Sequence, residues 1–258
     1  MRVLDLFSGI GGFSLGLERA GAFRTVAFCE REPFCQAVLR KHWPDTPIYD
    51  DVRTIPTDEL GGIDLICGGF PCQPWSIAGQ QRGAEDDRDL WPAMARLIAE
   101  LRPRWVIGEN VRGFVNEPMG LQRSLSDLES LEYEATAFVI PACAVDAPHR
   151  RDRVWIVANA DGQRCGASRS GETQTGAATS PITTGEQSSP VADAGTETER
   201  ASEGHTSECD GWIIEPSVGR VAHGVPNRVD RLKALGNAVV PQVVEQIGRA
   251  IMADQMPL

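Results

Sequence analysis

The chain has 258 residues, 41% of them hydrophobic and 24% charged, with a formal net charge of -11. That length suits one large domain, or one with a small appendage, and the acid surplus argues against nonspecific nucleic-acid binding, so any contact with DNA must use a local basic field. No apolar run is long enough to span a membrane, the start MRVLDLFSG has no signal-peptide pattern, and the seven cysteines are an odd number, so a soluble, cytoplasmic protein with free thiols is expected.

Residues 2–7 form an apolar run that ends in Ser8-Gly9-Ile10-Gly11-Gly12. Phe13, Leu15, Leu17 and Ala20 follow at the spacing of an amphipathic helix closed by Gly21, giving strand, glycine turn and helix. Ser14 stands where the dinucleotide fingerprint needs its third glycine, so a pyrophosphate ligand is not favoured. Glu30 ends the next apolar run, residues 25–29, where an acid can accept hydrogen bonds from ribose hydroxyls. Adenosine without phosphates would suit this turn and acid. A helix over residues 33–42 is expected to turn Phe34, Ala37, Val38 and Trp43 inward. Asp50 and Asp51, after Tyr49, read as an ordinary turn.

Residues 63–66 read as a buried strand leading into GGFPCQPWS, residues 68–76. Pro71 and Pro74 fix the backbone around Cys72 and bar a helix. A lone cysteine is usually structural, but a rigid, polar position at a strand end in an open α/β sheet also suits a nucleophile. Residues 77–90 are rich in glycine, glutamine and charge without a periodic apolar face, and read either as a lid over the site or as solvated surface. Asp89 is placed to cap a helix running to Leu101, with Leu90, Met94, Leu97 and Ile98 toward the sheet. Residues 104–108 form another buried strand, with Glu109, Asn110 and Val111 at its end. Adjacent parallel strands lie roughly 5 Å apart, so Cys72 and Glu109 are expected to share one pocket.

A helix over residues 121–131 and strands over 135–140 and 154–158 follow. Arg150, Arg151 and Arg153 precede the last strand and read as a phosphate clamp or as a charged strand edge. From residue 160 to 210 the composition changes. Nine acids against three arginines give this segment about -6, and with Ile182 and Val191 as its only large aliphatics it cannot build a core of its own. Cys165, His205 and Cys209 lack a paired spacing, so no metal site is expected. Residues 224–251 return to apolar character, and Val239, Val243, Val244, Ile247 and Ile251 share a helical face with Pro241 in the first turn.

Taken together, these stretches resemble the cytosine-5 DNA methyltransferases, in the order expected of that family, over about residues 1–158 and 224–251. DLFSGIGGFSLGLERAG is similar to the family's S-adenosylmethionine loop, GGFPCQPWS to its nucleophile loop, RWVIGENVRGF to its glutamate motif, and LGNAVVP to its last motif. The resemblance implies a Rossmann-like α/β methyltransferase: a mostly parallel twisted sheet with helices on both faces and a small irregular recognition segment. Residues 1–159 would be catalytic, 160–222 a reduced target-recognition segment, and 223–258 the return that completes the catalytic domain. It implies S-adenosylmethionine as cofactor, held by Phe7, Gly9, Gly11, Gly12, Glu30, Asp51, Val52, Asn237 and Val239. It implies Cys72 as the nucleophile that adds to carbon 6 of a flipped cytosine, Glu109 as the acid engaging the ring, and Arg151 and Arg153 as holders of the carbonyl oxygen and neighbouring groups. Double-stranded DNA would be met by Gln80, Gln81, Arg82 and Arg228, with a monomer acting alone or beside a recognition subunit or a restriction enzyme. Two departures stand out: His149 replaces the family's glutamine, and the recognition region is short and acidic. The tRNA-methylating branch, one half or a noncatalytic partner of a split enzyme, and a nucleotide-binding module are the rival readings.

Overall fold

The computed structural model describes residues 1–71, 89–116, 120–160 and 228–255. Seven strands form one sheet: β1 (Arg2–Leu6), β2 (Arg24–Cys29), β3 (Ile48–Tyr49), β4 (Leu65–Gly68), β5 (Trp105–Val111), β6 (Glu134–Ile140) and β7 (Arg153–Asn159), in the order β3-β2-β1-β4-β5-β7-β6. Strands β3 to β5 pair in parallel, while β7 runs antiparallel to both of its neighbours. The chain builds outward from β1 in one direction through β2 and β3, then crosses to β4 and builds the other way. Such a switch leaves a crevice at the carboxyl ends of β1 and β4, where open α/β sheets bind ligands.

Alternation along the strands sorts the core into two layers. Leu4, Leu6, Ile66, Val106 and Ile156 meet α3 (Trp91–Leu101) and α4 (Leu121–Ser130) through Met94, Leu97, Ile98 and Leu128. Val3, Leu65, Cys67, Ile107 and Trp155 meet α1 (Gly12–Ala20) and α6 (Pro241–Asp254) through Phe13, Leu17, Val243, Val244 and Ile251. Each such side chain, fully buried, contributes about 1.5–3 kcal/mol. The crossing of α1 and α6 is close, since a β-carbon on Gly16 would lie 2.6 Å from Val244 Cβ. Among the described residues, no helix is long and apolar enough to cross a membrane.

Several local expectations are corrected. Helix α2 (Pro33–His42) turns Cys35 and Leu39 inward while Ala37 is exposed and Phe34, Val38 and Trp43 are half-buried. Its buried stripe therefore follows one i, i+4 pair and not the broader apolar set. Leu15 is 37% exposed because Ser14 and Gly16 occupy the buried side of α1. The last segment holds two helices: α5 (Arg228–Asn237) precedes α6 and breaks from it before Pro241. Strand β5 extends to Val111, so Glu109 lies inside a strand opposite Trp155 of β7 and not beyond its end.

Candidate active site

The turn after β1 is held from within. Phe7 and Gly9 both have φ 53° and Gly11 φ 85°, so the chain reverses through left-handed backbone. Gly9 N–H donates to Glu30 Oε2 at 2.7 Å, and Gly11 N–H donates to the Ser8 carbonyl at 2.8 Å. Near the start of α1, Ser14 donates from its backbone at 3.3 Å and from its hydroxyl at 2.6 Å to the buried Asp5 Oδ2. Burial pushes the Asp5 carboxyl up to about 7 against the lowering effect of these bonds. The N–H groups of Gly9, Gly11 and Ser14 around this helix start are thus engaged by Glu30, Ser8 and Asp5.

Beyond this turn opens a cleft of about 630 Å³. It brings together Phe7, Gly9, Glu30, Asp51, Val52, Asn237, Glu109 and Arg153 from the expected set. Glu30 completes its frame through Oε1, which accepts Glu32 N–H at 2.6 Å. Asp51 begins a 3-10 turn over Val52–Thr54 and accepts from the Arg53 guanidinium at 2.8, 3.0 and 3.2 Å. Those bonds hold its carboxyl at about 2, well below the usual range. Six acids of the cleft (Glu30, Glu32, Asp50, Asp51, Glu109, Asp230) face four bases (Arg31, Arg53, Arg153, Lys233). That balance leaves an acid surplus in the cleft, which favours a cationic ligand over a polyanionic one.

The cleft also holds an ion pair of a buried carboxylate with a half-buried arginine. Glu109 on β5 and Arg153 at the start of β7 approach at 2.9 Å. Burial raises the Glu109 carboxyl to about 7, although Arg153 and Arg151 oppose the rise. A carboxyl in that range can hold or release a proton near neutrality, as a general acid requires. The backbone of β4 leaves room for it, since a β-carbon on Gly69 would lie 3.0 Å from Glu109 Oε2. Asn110 secures the same loop by donating from Nδ2 to the Phe70 carbonyl at 2.9 Å.

Pro71 and Leu90 both line the cleft, and Leu90 N–H donates to the Pro71 carbonyl at 3.4 Å. Cys72 follows Pro71 in the chain but lies outside the described residues, as do Gln80, Gln81, Arg82 and the expected lid. So do residues 161–227, with Cys165, His205 and Cys209 among them; Arg228 opens α5. Two other thiols, Cys29 and Cys35, do line the cleft. Burial, then the charge of Glu30, pushes them to about 12 and about 11, so both stay protonated and unreactive.

Three expected cofactor residues stand back from the cleft and act in packing. A β-carbon on Gly11 would lie 2.5 Å from the Trp43 ring, and one on Gly12 would lie 2.7 Å from Val239 Cγ2. Arg151 also stands apart from Arg153: its Nη2 donates to the carbonyls of Gly236 at 2.7 Å and Ala238 at 2.8 Å. The sequence reading missed Asp230 and Ala234, which with Lys233 make α5 one wall of the cleft. Val229, Leu232 and Leu235, three apart, carried a helical signal that would have found it.

A family model described as C-5 cytosine-specific DNA methylase matches residues 1–208. The chain is 39% identical to the Type II methyltransferase M.PspPI of Psychrobacter sp. over 60% of this chain and 38% of that one. It is 34% identical to the Type II methyltransferase M.HhaI of Haemophilus parahaemolyticus over 61% of this chain and 48% of that one. The chain therefore spans less than half the length of these curated relatives. A solved putative DNA modification methyltransferase, encoded within an E. coli prophage, superposes with a TM-score of 0.54 at 27% identity over 62% of this chain and 46% of that one. A DNMT2 variant of Spodoptera frugiperda shares the fold with a TM-score of 0.56 at 21% identity, covering 66% and 53% of the two chains. With the switch-point cleft, the glutamate–arginine pair and a match that spans most of its length, the chain belongs to the C-5 cytosine-specific DNA methylase family.

Proposed function

We propose that this chain transfers a methyl group from S-adenosylmethionine to carbon 5 of cytosine in double-stranded DNA. The observation that carries the reading is a cleft with an acid surplus that also holds the Glu109–Arg153 pair, with Pro71 leading into Cys72. When bound, S-adenosylmethionine supplies an electrophilic sulfonium methyl; Glu30 and Asp51 are placed to accept from its ribose and adenine, and the acid surplus favours its cationic end.

Carbon 5 of cytosine is a poor nucleophile. Cys72 bonds to carbon 6 as a thiolate, which places electron density on carbon 5. Glu109 holds its proton against ring nitrogen 3 as that charge builds, and Arg153 keeps the carboxyl in place. Carbon 5 would take the methyl, its former bonding electrons staying on the donor sulfur as a neutral thioether; the carbon 5 proton would pass to water, and the electrons of that bond would expel Cys72 from carbon 6 as a thiolate. A stacked base cannot reach such a cleft, so the cytosine must leave the duplex. Gln80, Gln81, Arg82 and Arg228 are the residues assigned to the DNA, and the enzyme acts in the cytoplasm as a monomer.

The test is incubation of purified protein with radiolabelled S-adenosylmethionine and unmethylated duplex DNA, beside Cys72→Ser and a duplex carrying 5-fluorocytosine. Label transfer by the wild type, its loss in the variant and a trapped covalent complex are expected. Transfer to tRNA and not to duplex DNA would move the assignment to RNA. Cofactor binding without any transfer would sink the free-standing enzyme and favour one half of a split pair. The acidic, core-poor composition of residues 160–210 is what keeps that second reading.

A further inference from the structure

We propose that Arg151 is a positioning residue for the cofactor, gripping the chain on both sides of Asn237, and that it does not contact the base. The inference rests on the methyltransferase reading above and deepens it. Arg151 and Arg153 are two residues apart, a spacing that on a strand would point both to one face. Arg151 has φ 37°, left-handed backbone that an arginine seldom adopts, and it lies just before β7 begins. The two guanidinium groups part company there. Arg153 meets Glu109, whereas Arg151 Nη2 donates to Gly236 O at 2.7 Å and Ala238 O at 2.8 Å. The residue between those carbonyls, Asn237, lines the cleft together with Gly236, Ala234, Lys233 and Asp230. An outlying backbone angle held by two charge-assisted bonds at the edge of a site is where strain serves positioning.

Among the described residues of α5, Val229, Leu232 and Leu235 are 76, 60 and 63% exposed, and Ala234 is the buried one. A second tie among the described residues, Lys233 to Glu32 at 3.0 Å, joins side chains 61 and 43% exposed, and such pairs contribute little in water. An element with few buried apolar contacts opens easily. Arg151 is then the tie that sets where Asn237 stands when the cofactor enters.

The test separates cofactor affinity from turnover. Direct calorimetric binding of S-adenosylmethionine and steady-state methyl transfer are measured for wild type, Arg151→Gln and Arg151→Lys, with circular dichroism to confirm folding. Arg151→Gln is expected to weaken cofactor binding about tenfold while kcat at saturating cofactor stays within about twofold of wild type. Arg151→Lys, whose ammonium can still donate to both carbonyls, should recover most of that affinity, to within about threefold of wild type; if Arg151→Gln does not fold, this smaller shift with kcat unchanged carries the test. A fall in kcat with cofactor affinity unchanged would place Arg151 on the base and overturn the proposal. Wild-type protein that binds no cofactor would overturn the methyltransferase reading, and this inference with it.

Discussion

Two carboxylates of the cleft each sit against an arginine, at 2.8 Å for Asp51–Arg53 and 2.9 Å for Glu109–Arg153, yet they titrate in opposite directions. Asp51 is held at about 2 and Glu109 is raised to about 7. Distance to the partner does not separate them. Burial does: the Asp51 side chain is 35% exposed and that of Glu109 10%, so the Arg53 hydrogen bonds set the direction for Asp51, while at Glu109 desolvation outweighs its arginine. On the proposed function, the end of the cleft that would hold the cofactor stays ionised and the end that would hold the base can trade a proton.

The largest way to break this contrast is Glu109→Gln, which keeps the shape and removes the proton exchange. Methyl transfer should fall about 10²–10⁴-fold, measured in single turnovers with cofactor saturating. Gly69→Ala should come next, because its new β-carbon presses on Glu109 Oε2 and displaces the carboxyl. A fall of about threefold to tenfold in kcat is expected, since a shift of a few tenths of an ångström is smaller than the 1 Å that costs about 100-fold, with cofactor affinity in calorimetry unchanged. Asp51→Asn should touch turnover least: about tenfold weaker cofactor binding, kcat preserved, and a change in unfolding free energy below about 1 kcal/mol, since the pair is solvent-exposed.

The pH dependence sharpens the comparison. Glu109 has a folded pKa of about 7 against an ordinary 4.5. The folded state therefore binds the proton more tightly, its contribution to stability is full below about 4.5 and is lost as pH rises through about 7. Glutamine carries no such penalty, so the stability of Glu109→Gln relative to wild type should improve by up to about 3 kcal/mol between pH 4.5 and 8 in denaturant titrations. Asp5, also raised to about 7, is present in both proteins and cancels. In the wild type, kcat/KM should fall as pH climbs past about 7, and the residual activity of Glu109→Gln should lack that limb.

Much of this was legible from residue order. Apolar runs bounded by glycine and charge located β1, β2, β4 and β5, and placed Glu30 and Glu109 at the rim of a switch-point crevice. Strand direction was not legible, because an apolar run reads the same whichever way it lies, and so the reversal of β7 appears only in the structure. Helix α5 escaped for the opposite reason to a missing pattern: Val229, Leu232 and Leu235 are periodic but exposed, while the side that faces the cleft carries Asp230 and Lys233. The bond from Arg151 to Gly236 spans 85 positions, and no local spacing encodes a partner so distant.

The reversed strand also decides which sign of charge the cleft receives from where. Parallel strands finish at this rim and deliver acids, Glu30 from β2 and Glu109 from β5; β7 instead starts there and delivers Arg153 with its first residue. Run the other way, seven residues at ~3.3 Å each would carry that guanidinium some 20 Å to the opposite edge. One inverted segment thus brings a cation to an anionic shore, and the Glu109 carboxylate has a counter-charge waiting beside it.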